Sequence, residues 1–283
     1  MFCSLVNCRT LFASILLSLI CTATAWADSR CTERQPGWFS TGKISCPHKS
    51  TSVPSGALST RKVIYQTPLG TPPPGGWPSV IIYQGSFFAL DDFVYTSTEW
   101  LGRLYNEGKL IKTLLDNGYA VIAPSAPADL FWQTNIPGLA QLYEQTTDYT
   151  FINNLLQRIA QGHFGPLNPN RKYATGISSG GYNTSRMAVS FRGQFKALAI
   201  QSGSYATCAG PLCSVPTLPA DHPPTTFVHG FVDLIVPWWT MDKYYDQLLY
   251  QGIETTRHTE PLGNHEWMKA SPGHILNWFN AHP

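Results

Sequence analysis

The residues best placed to do chemistry lie in Gly176-Ile177-Ser178-Ser179-Gly180, a G-x-S-x-G run. An apolar stretch (172–177) precedes it and a segment of helical character (181–191) follows. That order implies a strand, a sharp turn and a helix, with Ser178 exposed on the turn. Glycine stands two residues to either side, where crowding near the helix start leaves no room for a side chain. A serine hydroxyl attacks a carbonyl only when a base removes its proton, and the base needs an acid to fix its tautomer.

Both partners must come from later loops, in the order serine, acid, histidine. Asp233 is the expected acid, because a strand (225–228) opens into His229-Gly230-Phe231-Val232-Asp233. Asp221 precedes that strand, and Asp242 and Asp246 fall in a helix-like segment, where solvated roles are expected. His265, in Leu262-Gly263-Asn264-His265-Glu266-Trp267, is the expected base, since its loop follows a strand (254–259) and precedes the last helix. His229 is the rival base, but it closes a strand and would compete with Asp233 for one corner. Attack on an ester carbonyl creates an oxyanion that needs donors already in place. The backbone N–H of Ser179, at the helix start, is one candidate donor, and that of Ser86, in Gln84-Gly85-Ser86-Phe87, is the second.

Strands are expected at 62–67, 80–83, 119–123, 172–177, 197–200, 225–228 and 254–259. Helices are expected at 104–117, 147–161, 181–191, 241–250 and 271–280, from apolar spacing and from stops such as Asn117-Gly118. The segment 124–142 has no period and is expected to be a loop over the site. Alternating strands and helices predict an α/β fold, a mostly parallel central sheet with helices on both faces, in a single domain. The working residues should then gather at the carboxyl ends of the strands.

Residues 1–27 read as a secretory signal peptide: Arg9 is their only charge, an apolar run spans 11–20, and Ala25-Trp26-Ala27 is a cleavage pattern. The apolar run is short for a bilayer, so an exported protein without an integral membrane segment is expected. Export leaves residues 28–283 as one catalytic domain. With 19 basic residues, Arg9 among them, against 17 acids, the near-neutral balance argues against a nucleic-acid partner. Cys31, Cys46, Cys208 and Cys213 then remain, an even number that implies disulfides. Three pairings are open, and proximity favours Cys31 with Cys46 and Cys208 with Cys213. No metal-ligand spacing is present, as His265-Glu266 continues into Trp267-Met268-Lys269, so no metal and no cofactor are expected.

Longer runs carry a resemblance. Ile64-Tyr65-Gln66-Thr67-Pro68-Leu69-Gly70, Gln84-Gly85-Ser86-Phe87-Phe88, the run from Ala123-Pro124-Ser125 through Asp129-Leu130-Phe131-Trp132, Gly176 to Tyr182, and His229 to Asp233 resemble the extracellular medium-chain-length polyhydroxyalkanoate depolymerases. The resemblance covers essentially all of 28–283. It implies an α/β-hydrolase fold, a triad at Ser178, Asp233 and His265, and hydrolysis of water-insoluble poly(3-hydroxyalkanoate) such as poly(3-hydroxyoctanoate). A carboxylesterase or lipase acting on soluble esters or acylglycerols would share the triad. Many lipases carry His-Gly where this chain has Gln84-Gly85. The chain ends soon after the last helix with no appended binding domain, so polymer contact is expected from the catalytic domain itself. Phe87, Phe88, Trp132 and Trp239 are the substrate-binding candidates, with Phe131, Trp238 and Trp267 beside the same loops. Core packing is the alternative for each of them.

Overall fold

A computed structural model describes residues 28–35, 37–87, 94–96, 104–136 and 138–283. The expected signal peptide, 1–27, and Phe88 lie outside the described residues. In chain order the elements are β1 (Thr32–Arg34), β2 (Lys43–Ser45), β3 (Lys49–Pro54), β4 (Thr60–Gln66), β5 (Trp77–Tyr83) and β6 (Val94–Thr96). Then follow α1 (Leu104–Asp116), β7 (Ala120–Pro124), α2 (Thr147–Ala160), β8 (Leu167–Ile177), α3 (Ser179–Ser190) and β9 (Ala197–Gln201). The chain closes with β10 (Thr225–Gly230), α4 (Trp238–Tyr250), β11 (Thr255–Glu260) and α5 (Ser271–Ala281).

Eight strands form one sheet in the order β11-β10-β9-β8-β5-β7-β4-β3. All neighbouring pairs from β11 to β7 are parallel, while β4 runs antiparallel to both β7 and β3. β5 shows why the sheet is covered twice. Val80 and Ile82 enter a core with α1 and α5, and Ile81 and Tyr83 enter a second core with α2 and α3. Side chains alternate across a strand, so a run apolar at every position must be buried on both faces. A third cluster joins Ile200 and Phe227 to Met241, Tyr244 and Leu248 of α4.

The expected strands and helices are present with shifted ends. β3 and the small sheet β1-β2-β6 are additions, because 49–54 is mostly Ser, Thr and Lys and offers no apolar alternation. The disulfides join Cys31 to Cys46 and Cys208 to Cys213. Among the described residues, no helix is long and apolar enough to cross a membrane.

The segment 124–142 is a chain of short turns fastened to the sheet. Buried Asp148 ties it down: one carboxylate oxygen lies 2.6 Å from Arg61 Nη1, and the other accepts the Gln133 N–H at 2.5 Å. Arg61 also donates to Thr147 Oγ1 and lies over the Phe151 ring. Removing one partner of a buried pair strands the other charge. Arg61→Met is expected to cost about 3–5 kcal/mol in urea unfolding, and a loss below about 1 kcal/mol would show that the pair carries no such weight.

Candidate active site

Ser178 stands between β8 and α3 with φ 56° and ψ −121°. A non-glycine residue held there stores on the order of 1–3 kcal/mol of strain, so its surroundings must fix it. They do so on two sides. Its N–H donates to the Gln201 carbonyl at 3.1 Å, and its carbonyl accepts the Tyr182 N–H at 3.0 Å. Gly180 completes the turn, since a Cβ there would collide with the Tyr83 and Gln84 carbonyl oxygens at the end of β5. A Cβ at Gly176 would meet the Gly180 carbonyl first and that of Tyr83 next, so both flanking glycines are demanded by close backbone approach.

The loop after β10 carries Asp233, buried, with Oδ2 2.8 Å from His265 Nδ1. Oδ1 accepts the N–H groups of Ile235 at 2.9 Å and Val236 at 2.8 Å. Burial alone would raise this acid, but hydrogen bonds from His229, His265 and Val236 outweigh it and hold the carboxyl far below the usual aspartate range. The anion contributes its full stabilisation above about pH 4 and loses it only as pH falls below that. Gly230 lets the loops of Asp233 and His265 meet, because a side chain there would strike the Gly263 carbonyl. Phe231 N–H to Glu260 O at 2.9 Å and Val232 N–H to Gly263 O at 3.1 Å fasten the two loops.

Gln201 has no part in the sequence-based expectations, and His229 enters them only as a rival base. His229, the expected rival of His265, shares its corner: its Nε2 lies 2.9 Å from the Val236 carbonyl and 3.3 Å from Asp233 Oδ2, fully buried. Gln201 ends β9 with its backbone on Ser178 and its side chain on the loop of His265, where Nε2 donates to the Glu266 carbonyl at 2.8 Å. Ser202 Oγ donates to the same carbonyl, and Ser271 Oγ donates to Gln201 Oε1. Among the described residues no hydrogen bond joins Ser178 Oγ to His265; Gln201 links their loops. Both residues had one signal in the sequence, a polar side chain at the carboxyl end of an expected strand.

Ser179, first in α3, is buried, and its Oγ accepts the Trp132 N–H at 2.9 Å. N–H groups in the first turn of a helix lack intrahelical partners and favour negative charge. Across from it, Ser86 is half-buried, and Phe87 has φ 63° with its N–H already given to Leu130 O at 2.6 Å.

The aromatic candidates separate. Phe87 is 72% exposed and Trp239 is 42% exposed, with Lys243 Nζ 5.2 Å above the Trp239 ring. Trp132 and Trp267 are fully buried, which corrects the reading of Trp132 as a substrate contact. Its indole packs edge-on against Tyr83 at 5.1 Å and donates to the Gln84 carbonyl at 3.1 Å, so it supports the loops from beneath. Gln84 in turn bonds Ala126 N–H and the Asp129 carbonyl. Trp132→Ala is expected to lower stability by about 3–5 kcal/mol in chemical denaturation. An unchanged midpoint would return the ring to the surface.

No protein-family model matches the chain. The poly(3-hydroxyoctanoate) depolymerase of Pseudomonas fluorescens is 67% identical over 276 residues, covering 97% of this chain and 99% of that one. Among solved structures, the carboxylesterase of Bacillus cereus aligns with a TM-score of 0.58 at 13% identity, covering 81% of this chain and 97% of its own. The S-formylglutathione hydrolase of Staphylococcus aureus aligns with a TM-score of 0.56 at 12% identity, covering 89% and 97%. At such identities the structures speak for the fold alone, and that fold is the α/β-hydrolase fold.

Proposed function

The chain belongs to the poly(3-hydroxyoctanoate) depolymerase family, and on that premise we propose that it is an exported serine hydrolase cleaving medium-chain-length poly(3-hydroxyalkanoate) through an acyl-enzyme. The observation that carries the reading is the 2.8 Å bond from His265 to a carboxylate held anionic, in a loop tied to the Ser178 turn by Gln201. With Nδ1 donating to Asp233, neutral His265 keeps its lone pair on Nε2. Serine–histidine hydrogen bonds at such sites often tighten only around substrate.

In the proposed sequence His265 Nε2 takes the Ser178 proton as Oγ adds to the ester carbonyl. The oxyanion is received by the N–H groups of Ser179 and Ser86, each donor being worth about 2.7–4 kcal/mol in comparable sites. Collapse breaks the C–O bond, and His265 hands its proton to the departing alkoxide, which leaves as a 3-hydroxyl chain end. Water then attacks the acyl-enzyme as His265 takes its proton, and collapse breaks the acyl–Oγ bond, passes that proton from His265 to Ser178 Oγ and releases a carboxylic acid. Asp233 stays ionised and steadies the imidazolium in both halves. Export is supported by the character of residues 1–27 and by two disulfides, which persist in oxidising compartments.

Ser178→Ala is expected to lower kcat by about 10⁵–10⁶ while leaving the unfolding midpoint intact. His265→Ala is expected to lower kcat by a comparable factor, and activity within about tenfold of the unmodified protein would remove His265 from the role of base. Product analysis on polyhydroxyoctanoate, polyhydroxybutyrate and triolein assigns the substrate: soluble 3-hydroxyacids or their oligomers from the first are expected, and turnover of triolein alone would make the protein a lipase.

A further inference from the structure

We propose that the loop carrying Asp233 is also the surface that seats this protein on an uncharged, alkyl-branched polyester. The inference rests on the ester-hydrolase reading above and adds where the solid polymer is held. Within 231–235 the side chains divide. Asp233 turns inward, whereas Phe231, Leu234 and Ile235 are 57%, 83% and 70% exposed. Leu262, three residues before His265, is 89% exposed.

Single exposed leucines mean little, but apolar side chains gathered around a reactive centre do. This loop is also rigid. Its N–H groups at Phe231 and Val232 are given to the Glu260 and Gly263 carbonyls, and those at Ile235 and Val236 to Asp233 itself. The Phe231 ring rests 5.4 Å from that of Trp238. Whatever adheres here is therefore fixed in position relative to His265 and Asp233.

Strand order extends the surface past the serine. β8, which ends just before Ser178, has β9, β10 and β11 to one side and β5 and β7 to the other. Exposed Phe87 and Leu130, which follow β5 and β7, thus flank it opposite Phe231, Leu234, Ile235 and Leu262. Charge identifies the occupant. Residues 230–236 and 261–264 contain one ionisable side chain, Asp233, and it is buried. An anionic headgroup or a polyanion would find no cation in either run, while neutral ester and alkyl surface meets no unpaired charge.

The competing surface is the turn bearing Trp38 and Phe39, 98% and 101% exposed. Depletion of protein from suspended poly(3-hydroxyoctanoate) particles separates the two and needs no turnover. The Leu234→Ser, Ile235→Ser, Leu262→Ser triple variant is expected to weaken adsorption by about tenfold or more. Trp38→Ser with Phe39→Ser is expected to stay within about twofold. Equal adsorption by the triple variant and the unmodified protein would overturn the proposal. So would a loss confined to triolein emulsion, or an equal loss in the Trp38/Phe39 variant. The single Leu234→Ser variant, at an exposed position, gives the same readout, with a smaller loss, if the triple variant fails to fold. Turnover of a soluble 3-hydroxyacyl ester by the unmodified protein reports separately on the hydrolase reading, so the two can fail independently.

Discussion

The buried carboxylate of Asp233 constrains everything around it. A charge taken out of water must be repaid in hydrogen bonds, and this one receives them from two backbone N–H groups and two imidazoles. Those donors come from one tight loop, one strand end and the neighbouring loop, so β10 and the approach to α4 and α5 have little freedom. Were the corner to open, the acid would take up a proton and cease to orient His265. The same donors explain why two histidines stand where one would suffice: His229 faces the acid from within the sheet, His265 from the rim.

The turn at Ser178 is held by a different means, steric closeness. Its backbone sits in a region that side chains avoid, and contacts from β5, β9 and α3 enforce it. Gln201 is where the two constraints meet, with a main-chain bond to the serine turn and a side-chain bond to the loop of His265. Because Gln201 is buried, neither loop can shift without stranding a polar group. The Arg61–Asp148 pair does the same for the turns after β7, which carry Trp132 up to the side chain of Ser179.

Much of this was legible in the sequence. Apolar runs and glycine-bounded stops located the strands that carry Ser178, Asp233 and His265, since fully buried strands and amphipathic helices leave strong local patterns. The sequence order of the three then led to the corner that Asp233 and His265 share. What escaped has no local pattern. β3 is a polar edge strand recognised only by its partner, and β1, β2 and β6 are three residues each. Trp132 and Trp267 fall in irregular loops, where composition does not reveal which way a ring faces. The parts played by Gln201 and His229 depend on groups up to 70 residues apart, Gln201 and Ser271 being the widest pair. The exposed side chains at 231–235 were hidden in plain view, since an apolar run beside a strand reads as core.

A covalent probe addresses the central claim most directly. If Ser178 is made nucleophilic by its surroundings, a fluorophosphonate should add once per chain, and mass spectrometry of the digested protein should place the adduct on Ser178. The same reagent should leave the His265→Ala variant essentially unlabelled. Full hydrolytic activity after exhaustive treatment, or an adduct on any other residue, would contradict the account.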